Sequence, residues 1–336
     1  RNIFNHNYHL FGMENKIRVA FIFHKDNPFM TGNHFDNTYY NFFIKALKRN
    51  ERLDVRYIKT ESKFDLSKLK DNTDVILLWE NSFFGMPKEL VGIQDLEIPV
   101  ISRTGDPSRA EESKKLHKKW KINYYFDFFS ESFFHKIYPK EFNYKKIFYG
   151  VESSLFKDLK PFNHRIKNKI LNSGNIGNDK FLSKIINDIR NPKWNSYRCK
   201  LLRTKCSNLN FVDYTPTVNN DYVNDSYPLL LQKYQTAIAA DTYTPVQKYW
   251  EIPAAGCLTF MEITEKNDGL HTGFIDNETS IFINEKNYVQ KFQEYLDDVD
   301  NPKWKEIAQA GNNFALKNFN NDVGVNSLVD LMTELI

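Results

Sequence analysis

Short apolar runs alternate with helical patterns along the first half of the chain. The near-continuous apolar run Ile17–Phe23 predicts a buried strand. Apolar positions at helical spacing over Tyr39–Leu47 predict a helix after it. Further short apolar runs predict strands at Val55–Ile58, Val75–Leu78, Val100–Ser102, Tyr124–Phe129 and Lys146–Phe148. Because this alternation is typical of parallel βαβ units, the first half predicts one complete doubly wound domain.

The pattern restarts after the polar and basic stretch Phe162–Lys169, which predicts a linker. The second series of elements is predicted at Lys169–Leu171, Phe181–Ile189, Tyr197–Cys206, Leu209–Val212 and Leu229–Ala237. The predicted fold class is therefore α/β, with two Rossmann-like doubly wound domains facing a central cleft. In open sheets of this kind the ligand lies beyond the carboxyl ends of the strands, which here means in that cleft.

These patterns divide the chain into four segments. Residues 1–13 precede the first strand and are interpreted as an N-terminal extension or leader, because Met13 lies directly before a good strand. Residues 14–160 and 161–315 are the two predicted domains. Residues 316–336 are predicted to form a closing helix.

Composition indicates a globular protein with a real core, since 41% of the residues are hydrophobic and 26% are charged. The three cysteines form neither a disulfide framework nor a metal-ligand spacing, and their sparse, odd count favours a reducing cytosol. No apolar run reaches the roughly 18 residues of a membrane span, and no secretory segment is recognised. A cytoplasmic location is expected.

The net charge of +4 lies in the first half, with 25 Lys+Arg against 20 Asp+Glu in residues 1–155 and 21 against 22 in residues 156–336. A solvated helix face is the plain interpretation of this excess, and attraction of an anionic acceptor or peripheral association with a membrane surface is the alternative. No finger, RRM or helix-turn-helix signature accompanies the charge, so no nucleic-acid partner is predicted. The excess is concentrated in a basic run made of Lys114, Lys115, Lys118, Lys119 and Lys121.

The stretch Thr242–Glu262 carries the most specific chemistry. Thr244 followed by Pro-Val-Gln predicts a helix start with threonine as the N-cap, and Gly256 predicts its end. The predicted helix therefore covers roughly Pro245–Ala255. Its N-terminus is expected to face the cleft, where free N–H groups suit a diphosphate.

Two charged residues of this helix are candidate ligands of a nucleotide. Lys248 lies in the first turn, where a cation is unfavourable for the helix alone, and this conflict is explained if the lysine serves an anion. Glu251 lies three residues on and on the same face, where a carboxylate can accept both hydroxyls of a ribose. An ordinary Lys–Glu surface pair is the alternative interpretation.

The pattern Lys-x-x-Glu-x-x-Ala-Ala-Gly-Cys at 248–257, followed by a strand, resembles the donor-binding segment of GT-B glycosyltransferases. It is most similar to the spore-maturation (CgeB-like) and related family-4-type enzymes. Phe148–Phe156 is similar to the element that ends the N-terminal domain in this superfamily, and Trp304–Phe314 and Val325–Leu335 resemble its closing helices. The last of these helices often crosses back onto the first domain.

The resemblance implies a GT-B fold in which residues 14–160 recruit the acceptor and residues 161–315 bind a nucleotide sugar. In such enzymes the residue equivalent to Glu251 holds the donor ribose and the basic residue lies by the phosphates, a role that falls here to Lys248. Many retaining members carry two glutamates eight positions apart, and Tyr243 stands where the first would be. Asp241 is nearby but out of register.

The implied activity is transfer of a sugar from a nucleoside-diphosphate sugar to a hydroxyl of a glycan, protein or lipid-linked acceptor. No metal site and no cofactor are expected, because helix dipoles and basic side chains can stabilise a leaving diphosphate. A nucleotide-sugar 2-epimerase of the same fold is one alternative. A glycosyltransferase-like binding protein without turnover is the other.

Three further residues are candidate donor ligands. Gly174 and Asn175 follow the first strand of the second domain, where a glycine loop lets backbone N–H groups approach phosphate, although a simple tight turn explains it equally. Arg198, in a Tyr-Arg pair that resembles an element of CgeB-like relatives, is a candidate pyrophosphate ligand. A solvated helix face is its alternative.

The candidate catalytic residues are His34, Asp106 and Lys248, and His271 is a further candidate donor ligand. His34 lies in the first strand–helix loop, where acceptors approach in GT-B enzymes, as a base or hydroxyl ligand. Asp106 follows a strand and a glycine, and its carboxylate could take a proton from the acceptor in an inverting reaction. His271 lies in a loop expected to reach the donor sugar. For each of these residues, a purely structural role is the alternative interpretation.

Overall fold

The computed structural model describes residues 16–27, 39–79, 87–216 and 226–336. The first half forms a parallel six-stranded sheet in the order β2-β1-β4-β6-β7-β8 and a small two-stranded sheet, β3-β5. Its strands and helices are β1 (Ile17–His24), α1 (Tyr39–Arg49), β2 (Leu53–Thr60), β3 (Lys63–Asp65), β4 (Val75–Leu78), β5 (Glu89–Val91), β6 (Val100–Arg103), α2 (Ala110–Lys119), β7 (Tyr124–Asp127), α3 (Glu131–Ile137) and β8 (Tyr144–Lys146).

The second half forms a parallel five-stranded sheet in the order β10-β9-β11-β12-β13. Central strands such as β12 are buried along their whole length, as their continuous apolar sequence predicts. The elements are β9 (Ile166–Ser173), α4 (Phe181–Arg190), α5 (Ser196–Cys199), α6 (Leu201–Cys206), β10 (Val212–Thr215), α7 (Tyr227–Leu231), β11 (Tyr234–Ala239), α8 (Lys248–Ala254), β12 (Leu258–Glu262), β13 (Ile281–Ile283), α9 (Tyr288–Leu296), α10 (Pro302–Asn318) and α11 (Asn321–Leu335).

The last helix, α11, packs on the first sheet's helix α1, which confirms the predicted crossing. Arg49 joins the two helices through its ion pair with Asp322, at 2.7 Å, and it also bonds Glu152 at 3.0 Å. A second pair links Arg52 to Asp330 at 2.9 Å. The last helix therefore lies on the half of the molecule that contains the first sheet.

The α/β fold class with two parallel sheets is confirmed, and most predicted elements are present. The strand predicted at Lys146–Phe148 was placed two residues late, and the strand predicted at Leu209–Val212 three residues early. The predicted helix Tyr197–Cys206 is broken into α5 and α6 at Lys200. Residues 1–13 lie outside the described part of the chain, and no helix within that part is long and apolar enough to cross a membrane.

Candidate active site

A cleft of about 430 Å³ lies between the carboxyl ends of the two sheets. The first sheet contributes the segments that follow β6 and β7, and the second contributes α5 and the loop that follows β11. This is the place at which parallel α/β sheets bind their ligands. The lining residues are Arg103, Gly105, Asp106, Pro107, Ser108, Phe128, Phe129, Trp194, Ser196, Cys199, Lys200, Asp241, Tyr243, Thr244, Val246 and Gln247.

The first-sheet wall combines a fixed guanidinium with an exposed carboxylate. Arg103 ends β6, and it is held by a 2.7 Å hydrogen bond from its Nε to the Tyr149 hydroxyl and by Asp127 at 3.4 Å. Asp106 is exposed at the cleft and caps a short 3₁₀ turn by accepting a 2.8 Å hydrogen bond from the Ser108 N–H. One of its carboxylate oxygens is bound to this backbone, so the turn fixes the direction in which the acid faces.

On the second-sheet wall, the helix that contains Lys248 and Glu251 starts later than predicted. The prediction of Thr244 as N-cap and of Pro245 as first helical residue was wrong, because α8 begins at Lys248 with Gln247 as its N-cap. Residues 242–247 instead form an irregular loop along the cleft. The predicted end was right: Gly256 has φ +72° and donates to the Pro253 carbonyl, while Cys257 donates to that of Ile252.

This loop presents hydrogen-bonding groups without protein partners. Thr244 is 7% exposed and Thr242 is 5% exposed, and their hydroxyls bond no residue that the structure describes. The same holds for the Gln247 side-chain nitrogen. Unsatisfied buried polar groups are costly. Thr244 and Gln247 line the cleft, and these buried atoms are unpaired groups within its wall.

Lys248 lies behind this loop and joins it to the first strand of the second sheet. Its ammonium nitrogen donates a hydrogen bond to the Ser173 carbonyl at the end of β9. Burial, and then the nearby Arg203 guanidinium, lower the pKa of Lys248 well below its usual value. An anion brought against it would favour the charged form again.

Glu251 is one turn further along α8 and next to Lys248. Burial raises the pKa of Glu251 to about 7, and the charge of Lys248 opposes this only in part. No hydrogen bond reaches its carboxylate from any residue within the described ranges. The neighbouring hydroxyl of Tyr227 lies 2.6 Å from that of Ser173, so hydroxyl, carbonyl, amine and carboxyl groups converge behind the loop.

Arg203 links the loop that follows β9 to the loop that follows β11. This buried arginine donates to the carbonyls of Ala240 at 3.1 Å and Asn175 at 2.9 Å, and it lies 3.6 Å from the Asp241 carboxylate. Burial raises the pKa of Asp241, while Arg203 counteracts it. Burial lowers the pKa of Lys200, which lines the cleft together with Asp241. The second-sheet wall therefore carries a lysine, Lys200, and an acid, Asp241, and Arg203 fixes the position of the acid.

Like Lys248 and Glu251, the remaining predicted donor ligands are not among the residues that line the cleft. Gly174 has φ +97° and donates its N–H to the Thr215 carbonyl at 3.0 Å, while Asn175 accepts from Arg203. Arg198 pairs with Asp188 at 2.8 Å. Their assignment to the donor stays a prediction.

The two predicted histidines have different positions. His34 lies outside the described residues. His271 lies in a 3₁₀ turn and bridges the two halves of the molecule, with Nδ1 at 2.6 Å from the Asp268 carbonyl and Nε2 at 3.1 Å from the Phe128 carbonyl. Both ring nitrogens therefore face backbone oxygens, and a donor-sugar contact of His271 stays a prediction.

Sequence reasoning missed Lys200 and the cleft-facing side chains of Thr244 and Gln247. Lys200 does not stand out in the sequence, because it lies among Arg198, Arg203 and Lys205, a pattern that a solvated helix face also produces. The threonine and glutamine were interpreted as capping residues, and only the late start of α8 turns them to the cleft. Among the described residues, no group of three or more His, Cys, Asp or Glu side chains could hold a metal ion.

Comparison with solved structures identifies the architecture. No protein-family model matches the sequence, and no curated protein is similar to it in sequence. A glycosyltransferase from Rickettsia africae is 13% identical, with a TM-score of 0.53 over 96% of this chain and 99% of that one. The chain has the GT-B fold.

Two further GT-B structures support the same conclusion. Sucrose-phosphate synthase from Thermosynechococcus elongatus is 11% identical, with a TM-score of 0.56 over 95% of this chain and 99% of that one. Anabaena HepE, in complex with UDP and glucose, is 10% identical, with a TM-score of 0.53 over 95% of this chain and all of that one. In both cases the likeness extends over nearly the whole of each chain.

Proposed function

We propose that the protein transfers a sugar from a nucleoside-diphosphate sugar to an acceptor hydroxyl. The observation that carries this proposal is the cleft itself, which is lined by Lys200 and the loop 244–247 of the second half and by the exposed acid Asp106 of the first. HepE, whose structure contains UDP and glucose, shares the fold and supports a donor of this class. The comparisons favour transfer over 2-epimerisation of the donor.

The second half holds the donor in this proposal. Glu251 accepts the ribose hydroxyls, because its carboxylate is next to Lys248 on α8 and has no hydrogen bond from a described residue. Lys200 and the Thr244 and Gln247 side chains at the cleft wall, together with Lys248 behind them, supply the diphosphate with cationic and neutral donors. They stabilise the charge that grows on the diphosphate as the glycosidic bond breaks.

The first half supplies the acceptor and its base. Asp106 takes the proton of the acceptor hydroxyl, whose oxygen forms the new bond to the anomeric carbon. The bond from that carbon to the diphosphate breaks, and the diphosphate leaves with the electron pair. Asp106 suits this role because its turn fixes it at the cleft and leaves it exposed to an incoming acceptor.

The basic run supports recruitment of an anionic or membrane-borne acceptor. Lys114 pairs with Glu111 at 2.6 Å, and Lys119 and Lys121 donate to backbone carbonyls. Lys115 and Lys118 remain exposed on α2, which starts directly after the cleft residues Gly105–Ser108. These two side chains are therefore available to an acceptor that approaches the first wall.

The test is a thermal-shift panel of nucleotide sugars followed by an assay of released nucleoside diphosphate. A donor that binds raises the melting temperature, since a ligand at 100 times its Kd adds about 2.7 kcal/mol. The variant Asp106→Asn should keep this shift and lose release of the diphosphate. Binding with no transfer and no hydrolysis in the unmodified protein would instead support the non-catalytic alternative.

A further inference from the structure

Helix α4 (Phe181–Arg190) turns an apolar stripe away from the protein. Phe181 is 76% exposed, Leu182 71% and Ile189 78%, and no residue of the helix is buried. Ile185 and Ile186 complete the stripe, which spans about 140° of the helix at 100° per residue. A surface helix normally directs its apolar stripe at the core, whereas α4 directs it at the solvent.

Polar contacts fix this inverted orientation. The ammonium of Lys184 lies 4.2 Å from the centre of the Tyr197 ring, a cation–π contact. Asp188 accepts hydrogen bonds from Arg198 and Asn195, both at 2.8 Å. Because Lys184 and Asp188 lie on the half-buried side of the helix, the protein holds α4 by its polar face and leaves the apolar stripe exposed.

Cations outnumber acids at the two ends of α4. Lys180, Arg190 and Lys193 are exposed there, the exposed acid Asp179 lies beside Lys180, and Asp188 is paired with Arg198. Lys114 and, to a smaller extent, Lys193 lower the pKa of Glu111 in the first turn of α2, so Lys193 lies near the helix that carries the basic run.

We propose that α4 binds the surface of a bilayer that contains anionic lipids. The five apolar side chains enter the boundary between headgroups and acyl chains, and the flanking cations contact lipid phosphates. A single convex helix fits a planar, fluid surface, and its cationic rim is complementary to anionic headgroups. Trp194 and Ser196, which follow α4 in the chain, line the cleft, so the bound surface would bring a lipid-linked acceptor to its mouth.

The link to a lipid-borne acceptor rests on the proposed glycosyl transfer, whereas lipid binding does not. The experiment is sedimentation of the full chain with vesicles of phosphatidylcholine, alone or mixed with phosphatidylglycerol, at low and high salt. We expect binding to the mixed vesicles that weakens as salt rises. The double variant Leu182→Ser, Ile189→Ser should reduce the partition by about 100-fold, or about tenfold for each side chain.

The matched control is Ile275→Ser, since Ile275 is a half-exposed apolar residue on another part of the second half. It should bind vesicles as the unmodified protein does. No binding by the unmodified protein, or equal binding by the double variant, would overturn the proposal. A dimer that dissociates in the double variant, measured by light scattering, would assign the stripe to a second copy and overturn it as well. Donor binding measured on the double variant separates this outcome from failure of the proposed function.

Discussion

The ammonium of Lys248 donates a hydrogen bond to the carbonyl oxygen of Ser173, 75 residues away in the chain. This contact joins the start of α8 to the end of β9, the two places at which a donor-binding loop is expected in the second domain. It also gives Lys248 a structural partner within the protein. The same lysine can therefore hold the loop and respond to a diphosphate.

Replacing Lys248 with methionine should impair turnover more than nucleotide binding. Charge on the diphosphate grows as the glycosidic bond breaks, so a cation there stabilises the transition state more than the bound donor. We expect kcat to fall by about 100-fold or more and the Kd for the nucleoside diphosphate to change by less than about tenfold. Kinetics and calorimetric titration measure the two effects. A loss of nucleotide affinity with kcat unchanged would mean that Lys248 serves binding alone.

Activity should persist in excess EDTA, because the proposed site stabilises the leaving group with Lys248, Lys200 and neutral donors. The assay is release of the nucleoside diphosphate before and after chelation. Complete loss of activity that Mn²⁺ or Mg²⁺ restores would contradict the metal-free reaction.

Nucleotide affinity should rise with pH through about 7. Burial raises the pKa of Glu251 to about 7, and ribose hydroxyls donate to the ionised carboxylate. Below that pH one proton must be released on binding, so affinity should fall by about tenfold per pH unit. Titrations of Glu251→Gln should lack this component, while Glu306→Gln, which changes an exposed glutamate of α10, should retain it. An identical pH profile in all three proteins would contradict a role for Glu251 ionisation.

Replacing Glu262 with glutamine should stabilise the protein in alkaline solution. Burial and the Asp241 carboxylate raise the pKa of Glu262 to about 8, and its Oε2 has no partner within the described residues. Between pH 4.5 and 8 the folded state binds the proton that the unfolded chain has released, so stability falls with rising pH across this window. Glu262→Gln should be about 2–4 kcal/mol more stable than the unmodified protein at pH 8 and similar to it at pH 4.5. Urea denaturation at both pH values measures this, and a gain independent of pH would contradict it.

The buried strands could be predicted from the sequence because a short, near-continuous apolar run bounded by polar residues fits a strand that is covered on both faces. Val75–Leu78 was predicted to the residue, and Gly256 was recognised as a helix end because few other residues adopt its backbone conformation. The start of α8 could not be predicted, since Thr244-Pro245 suits a cap and a cleft loop equally. Which of several basic residues faces the cleft depends on long-range packing, so Lys200 was missed, and the assignment of Arg198, which pairs with Asp188, to the donor stays a prediction.

Calorimetric titration of Glu251→Ala with nucleoside diphosphates tests the account most directly. If Glu251 holds the donor ribose, the variant loses a charge-assisted pair of hydrogen bonds, about 2–4 kcal/mol, and the Kd should rise about 30-fold to 1,000-fold. The control Glu306→Ala removes an exposed carboxylate of the same half and should leave the Kd unchanged. A melting curve of each variant confirms that it is folded. An unchanged Kd in folded Glu251→Ala would show that α8 is not the donor site, and the proposed function would fail at its centre.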